Sequence, residues 1–386
     1  MRVLVVHSSA DLYGSDRSLL DFVRLNSARF DISVVLSENG PLVEHLRRAG
    51  ARVEIGDVCK VQRSMFSPRG LLQAIGSAWR SRRLLRSVGG EQGFDIVYSN
   101  TVALFGGALY AMLARRPHVW HIREIIASSP KLAAVFKLIV SRLSTRIICN
   151  SNQTRDWIAT PHSAPLCRVI WNGVGLAAPP GTRDAERAAL GVAPDDLVFA
   201  LVGRINGWKG QGLLVDAFAQ LCAQGQRGIK LAIVGSAYTG QEHYETELRA
   251  KIAASGCAEQ IRLLPFRADV DAVWEASDVV VVPSTEPEPF GRVAIEAMAF
   301  AKPVIAAGHG GLLDIVADGE TGLLFKPRDA AALAEAMARL AADPVLRQTM
   351  GERARERQQR MFSVEAYAQS VGDCLQDAKT VADAAR

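Results

Sequence analysis

The chain alternates short continuous apolar runs with longer amphipathic stretches whose apolar positions recur at helical spacing. In the first half the apolar runs fall at residues 2–7, 32–36, 52–55, 95–98, 118–121, 146–149 and 168–170. Helical patterns at 15–25, 71–88 and 132–143 lie between them. Strand–helix alternation of this kind predicts a parallel sheet covered by helices on both faces. Asn172-Gly173 and the cluster Ala177-Ala178-Pro179-Pro180-Gly181 interrupt the pattern and predict a linker. Alternation then restarts, with strands predicted at 198–202, 230–234, 261–264, 279–282, 303–306 and 323–325. The stretches 211–222, 242–254 and 293–300 read as helices, and everything after Asp329 reads as helix. Two α/β halves of similar length predict two doubly wound domains facing a cleft. Ligands of such sheets bind in the loops that follow the strands.

Composition agrees with a globular chain: 386 residues, 49% hydrophobic and 22% charged. No apolar run reaches the ~18 residues of a membrane-spanning helix. The opening Met1-Arg2-Val3-Leu4-Val5-Val6-His7 reads as a buried strand rather than a signal peptide. Six scattered cysteines without CxxC spacing suit reduced thiols in a cytoplasmic protein, and no metal site is expected from them. Charge divides unevenly. Residues 1–175 carry 23 Lys and Arg against 12 Asp and Glu, a net +11, whereas the remainder carries 22 against 28, a net −6. Only one half is therefore suited to a polyanionic partner.

No Gly-x-Gly-x-x-Gly follows the first strand, which counts against a nicotinamide or flavin enzyme, and no Walker A loop is present. The most informative stretch is 281–298, where a strand leads through Ser284-Thr285-Glu286-Pro287-Glu288-Pro289-Phe290-Gly291 into a helix. Exposed amides at that helix start favour a phosphate. Glu288 in the loop and Glu296 in the helix can accept hydrogen bonds from the hydroxyls of a sugar and of a ribose. Upstream, Gly203-Arg204-Ile205-Asn206-Gly207-Trp208-Lys209-Gly210 follows the first strand of the second half. A guanidinium and an ammonium converging on a departing diphosphate would stabilise the charge it develops. Gly308-His309-Gly310-Gly311 follows a later strand, its glycines permitting close backbone approach.

These segments resemble the Glu-x7-Glu motif, with its embedded Glu-x-Phe-Gly, and the Gly-Arg-(x)4-Lys-Gly signature of GT-B glycosyltransferases, family GT4. The resemblance spans nearly the whole chain and is most specific in residues 198–326. It implies a GT-B fold: two Rossmann-like doubly wound parallel-sheet domains facing an interdomain cleft. Residues 1–175 would bind the acceptor, 176–362 the nucleotide sugar, and a C-terminal helix, 363–386, would return to the first domain. It further implies retaining, metal-independent transfer from a UDP- or GDP-linked sugar, with no cofactor. Arg204 and Lys209 would stabilise the leaving diphosphate, Glu288 would contact the donor sugar and Glu296 the ribose. Amides around Phe290 and Gly291 would hold the distal phosphate. His121 resembles the family's histidine near the donor sugar. Gly203, Asn206, Phe266, Arg267, Pro289 and Arg292 complete the expected donor set. Where the family commonly has a Gly-Gly loop after the first strand, this chain has Tyr13-Gly14, so only Gly14 and Ser15 carry over. Asp314 stands where the family usually has Glu. Asp16 or Asp11 holds an acceptor hydroxyl, or Ser15 or Asp16 simply caps the helix, and Arg123 is a second candidate for the acceptor.

The basic first half interleaves arginines with apolar residues in Trp79-Arg80-Ser81-Arg82-Arg83-Leu84-Leu85-Arg86. Lys131, Lys137, Arg142 and Arg146 surround a second apolar helix. Such faces suit peripheral contact with an anionic inner membrane leaflet, bringing a lipid-linked saccharide acceptor of surface-polysaccharide or lipopolysaccharide synthesis to the cleft. They equally suit ordinary amphipathic helices with snorkelling arginines. A nucleic-acid partner is not expected, because no recognised motif accompanies the arginines. Two other functions remain open: a nucleotide-sugar epimerase of the same fold, and a non-catalytic sugar-nucleotide sensor.

Overall fold

The computed structural model describes residues 1–12, 14–61, 68–126, 129–175, 183–267 and 269–385; the linker cluster around Pro179 and Tyr13 lie outside them. The chain divides into two compact units, Met1–Gly173 with Val364–Arg386, and Val174–Ser363.

The first unit is built on seven strands: β1 (Arg2–His7), β2 (Asp31–Leu36), β3 (Arg52–Ile55), β4 (Ile96–Ser99), β5 (His118–Ile122), β6 (Arg146–Cys149) and β7 (Cys167–Val169). They pair in the order β3-β2-β1-β4-β5-β6-β7, every pairing parallel. Strand periodicity explains the continuous apolar runs. Val3 and Val5 of β1 face a core shared with Leu19, Phe22 and Val23 of the helix Gly14–Asn26. Leu4 and Val6 face the opposite layer, with Leu85, Phe94, Val97 and Tyr110. A strand buried on both sides has no polar face to show. The helix Val364–Ala384 joins this unit through Tyr367, Val371, Leu375 and Ala378. Asn26 Nδ2 donates to Ala368 O (3.0 Å), Arg29 to Asp373 (2.7 Å) and Arg146 to Asp377 (2.6 Å).

The second unit holds β8 (Leu197–Val202), β9 (Ile229–Val234), β10 (Ile261–Leu264), β11 (Val279–Val282), β12 (Val304–Ala307) and β13 (Gly322–Phe325). Their order is β10-β9-β8-β11-β12-β13, again with every pairing parallel. All thirteen strands coincide with the apolar runs of the sequence to within about two residues. The helical tail differs in detail from one continuous reading. It is three helices, Ala330–Ala342, Pro344–Met361 and Val364–Ala384. Asp343 breaks the first from the second because it precedes a proline, which disfavours helical backbone. Its carboxylate then caps the next helix at Leu346 N (2.9 Å). No helix among the described residues is long and apolar enough to cross a membrane, and all six cysteines are free.

Candidate active site

In each sheet the strand order reverses beside the first strand, between β8 and β11 in the second unit and between β1 and β4 in the first. Loops leaving adjacent strands there diverge to opposite faces and open a crevice at the carboxyl ends.

In the second unit that crevice brings together residues far apart in sequence. The loop after β8 is turned by Asn206, whose Oδ1 accepts from Trp208 N (3.1 Å) and Lys209 N (2.9 Å). Gly210 then takes a left-handed φ of 77°, and a Cβ there would lie 2.0 Å from Pro283 O. Only glycine lets the two loops approach this closely. Thr285 N donates to Trp208 O (2.7 Å), which locks the loops together. Lys209 Nζ consequently reaches Glu288 Oε1 at 2.6 Å. The Ser284 hydroxyl donates to the same oxygen (2.6 Å), and Glu288 is only 4% exposed. Behind it, His309 Nε2 donates to Ser284 O (2.8 Å), and Gly311 N to Glu288 O (2.7 Å). Gly310 and Gly311 thus shape the loop that backs Glu288. The Arg204 guanidinium lies over the Tyr238 ring, 3.3 Å from its centre, and its backbone carbonyl accepts from Gln211 Nε2 (2.9 Å).

The helix Arg292–Ala299 starts at Gly291, which has a left-handed φ of 105° and supplies no side-chain cap. A helix start of this kind suits an anion. Glu296 accepts from Arg292 Nε one turn earlier (2.9 Å). Pro289 and Phe290 precede this start, with Phe290 buried against Phe362. Gly203 N closes the β8 end on Val234 O (2.9 Å). Phe266 is exposed after β10, whereas Arg267 is engaged by the carboxylate of Glu186. Asp314 receives Arg357 on its backbone carbonyl (2.8 Å).

In the first unit a buried polar network fills the corresponding position. His7 Nε2 donates to Asp16 Oδ1 (2.7 Å), which also accepts from Ser9 (2.5 Å) and Ser15 (3.3 Å). That tautomer leaves His7 Nδ1 to accept from Asn100 Nδ2 (3.2 Å). Asn100 Oδ1 in turn accepts from Tyr98 (2.9 Å) and Arg123 Nε (2.9 Å). Arg123 also donates to Asn172 (2.7 Å) and to the Tyr367 hydroxyl of the C-terminal helix (2.8 Å). The carboxylate of Asp16 is fully buried and orients His7 from inside the fold. Arg123 spends its donors on fixing Asn100, Asn172 and Tyr367. As they stand, both residues hold other groups in place and present nothing to solvent.

His121 is fully buried, and its Nδ1 meets the Tyr98 hydroxyl at 2.7 Å. The same Nδ1 faces the donor Nη2 of Arg123 at 3.4 Å, and His121 Nε2 has no hydrogen-bond partner among the described residues. Burial, reinforced by Arg123, holds the imidazole well below its ordinary pKa, so it is neutral. Gly14 and Ser15 open the helix beside this network.

Sequence reasoning missed the support around these groups: Ser284 and Tyr238 in the second unit; His7, Tyr98, Asn100 and Tyr367 in the first. Ser284 was in view inside the motif, but no local signal linked Tyr367 to Arg123, 244 residues away.

Two parallel Rossmann-like sheets, each carrying its polar cluster at the carboxyl ends of its strands, are the architecture of the GT-B glycosyltransferases. Residues 182–357 match the family described as glycosyl transferases group 1, and residues 14–178 match glycosyltransferase family 4. Together the matches span most of the chain, which belongs to these families. A D-inositol 3-phosphate glycosyltransferase of Kribbella flavida is 35% identical over 229 residues, covering 57% of this chain and 54% of that protein. The chain thus spans about half the length of the curated relatives it matches. The crystal structure of Anabaena HepE with UDP and glucose superposes with a TM-score of 0.82 at 28% identity, covering 97% of this chain and 99% of that one. Sucrose-phosphate synthase of Thermosynechococcus elongatus shares the fold, with a TM-score of 0.77 at 22% identity over 98% of this chain and 99% of that one.

Proposed function

We propose that the protein is a retaining glycosyltransferase that moves a hexosyl group from a nucleotide diphosphate sugar to an acceptor hydroxyl. The observation that carries this reading is the Lys209–Glu288 contact beside an uncapped helix start, with Arg204 on a neighbouring loop of the same sheet. As the bond from the sugar to the diphosphate breaks, negative charge gathers on the leaving phosphates. Lys209, Arg204 and the amides of Gly291 and Arg292 supply fixed positive charge for it, without a resident metal. Glu288 accepts from sugar hydroxyls and Glu296 from the ribose. A phosphate oxygen of the donor takes the acceptor proton, so no side chain has to be the general base.

HepE was solved with UDP and with UDP-glucose, which favours a UDP-sugar over a GDP-sugar here. The acceptor in this reading is a saccharide carried on a lipid. The basic helices Pro68–Gly89 and Pro130–Leu143 hold the enzyme on the inner face of the cytoplasmic membrane, in the synthesis of a surface polysaccharide or lipopolysaccharide.

Nucleotide release from UDP-glucose tests the core of the proposal. Arg204→Ala or Lys209→Ala lowers the rate by about two to three orders of magnitude, by analogy with the loss of one oxyanion donor. The wild-type rate survives EDTA. Unchanged release in both variants refutes the assignment of the leaving-group site.

A further inference from the structure

The opposite edge of the first unit carries a second charged site that the transfer chemistry does not use. Residues Gly90–Gly93 lead into β4, and Arg116 lies two residues before β5, so both sit at the amino ends of strands. The active-site loops leave the carboxyl ends. Here Arg82 and Arg86 of the helix Pro68–Gly89 meet Arg116, Tyr110, Leu113 and the turn at Glu91 around a cavity of about 240 Å³.

The charge of this cavity is uncompensated. Three guanidiniums face one carboxylate, Glu91. Among the described residues, none of the three guanidinium groups forms an ion pair or a hydrogen bond; that of Arg82 lies over the Trp79 ring, at 5.3 Å. Other arginines of the protein are paired with carboxylates, as in Arg80–Asp57, Arg183–Asp278 and Arg267–Glu186. Planar guanidiniums left converging on a concave site suit the oxygens of a phosphate, which they bind in bidentate fashion. Burial holds the Tyr110 phenol above its ordinary pKa, so it stays protonated and able to donate.

The surroundings of the cavity say what carries the phosphate. Leu113, on its rim, is 52% exposed. Trp79 is 64% exposed and shares a second groove with Arg82 and Arg86. Ile75 and Leu72, one and two turns earlier on the same helix, are 51% and 72% exposed. Exposed tryptophan and aliphatic side chains beside arginines match the boundary between lipid headgroups and acyl chains.

We propose that Arg82, Arg86 and Arg116, with the Tyr110 hydroxyl, clasp the headgroup phosphate of an anionic lipid while Trp79 and Leu113 enter the acyl boundary. This rests on the membrane reading above and adds a defined headgroup site to it.

The test is flotation of the full chain with phosphatidylcholine vesicles, with and without phosphatidylglycerol. Wild type partitions onto the anionic vesicles only. The charge-retaining double variant Arg86→Lys/Arg116→Lys loses roughly tenfold in partition, because the ammonium groups cannot reproduce the forked contacts. Equal partition of variant and wild type overturns the headgroup site and leaves the membrane reading standing on diffuse charge alone. Failure of wild type to float on anionic vesicles overturns both. If inorganic phosphate, at chloride-matched ionic strength, binds wild type in an Arg86- and Arg116-dependent way while vesicles do not, the lipid assignment is overturned in favour of a free anion.

Discussion

The contact between Lys209 and Glu288 can be tested as an energetic unit through a double-mutant cycle. Glu288 is 4% exposed, and among the described residues its Oε1 receives the Lys209 ammonium and the Ser284 hydroxyl. Replacing Lys209 with Met leaves a buried carboxylate held by one neutral donor. Removing one member of a buried ion pair costs about 3–5 kcal/mol. The Lys209 side chain is 18% exposed, so water reaches the gap, and a cost near ~3 kcal/mol is expected. Glu288→Gln is milder, at about 1 kcal/mol, because the freed ammonium turns toward solvent while the amide keeps the Ser284 contact. With both changes no charge is left stranded. The double variant loses about 2 kcal/mol, a coupling of roughly 2 kcal/mol. Because the chain has two units, the stability must be read locally. Native-state hydrogen exchange at the amides of β8, β11 and β12 does this. If the two single costs simply add in the double variant, the carboxylate does not hold the lysine. The claim that the crevice is organised before a donor arrives then fails.

Gly210→Ala forces a Cβ toward Pro283 O at 2.0 Å with φ at 77°, so the two loops must part. A stability loss of about 2–3 kcal/mol and a weakened response to UDP in thermal shift are expected. Tyr367→Phe removes the acceptor of Arg123 Nη2 and costs about 1–2 kcal/mol, read as faster exchange in the helix Val364–Ala384. His118 gives a pH signature. Burial lowers its pKa from 6.5 to about 4, so the unfolded chain binds the proton first. The stability it supports is whole above pH 6.5 and is lost as pH falls toward about 4. At pH ~5 the loss is about 2 kcal/mol, and His118→Gln flattens the acid limb of a urea-midpoint profile by that amount. An unaltered slope contradicts the assignment.

The sequence by itself determined the strands and the fold class, because a strand buried on both faces must be continuously apolar and the helices between must be amphipathic. It also displayed the residues of the crevice between β8 and β11. Gly210 and Lys209 stand in one short segment and Glu288 and Gly291 in another, and close loop approach dictates the glycine at 210. Tertiary structure alone decided which of the polar candidates have side chains left to offer. Asp16, in the first turn of its helix, and Arg123, at a strand end, had the right types, yet Asp16 Oδ1 accepts from His7 and Ser9, and Arg123 donates to Asn100, Asn172 and Tyr367. The Arg116 cavity likewise joins a helix to a strand entrance distant in sequence. Hydrophobic periodicity is a local property of a chain, written every two or every 3.6 residues. Hydrogen-bond satisfaction of a buried polar group depends on whichever distant elements pack beside it, and no local spacing encodes that.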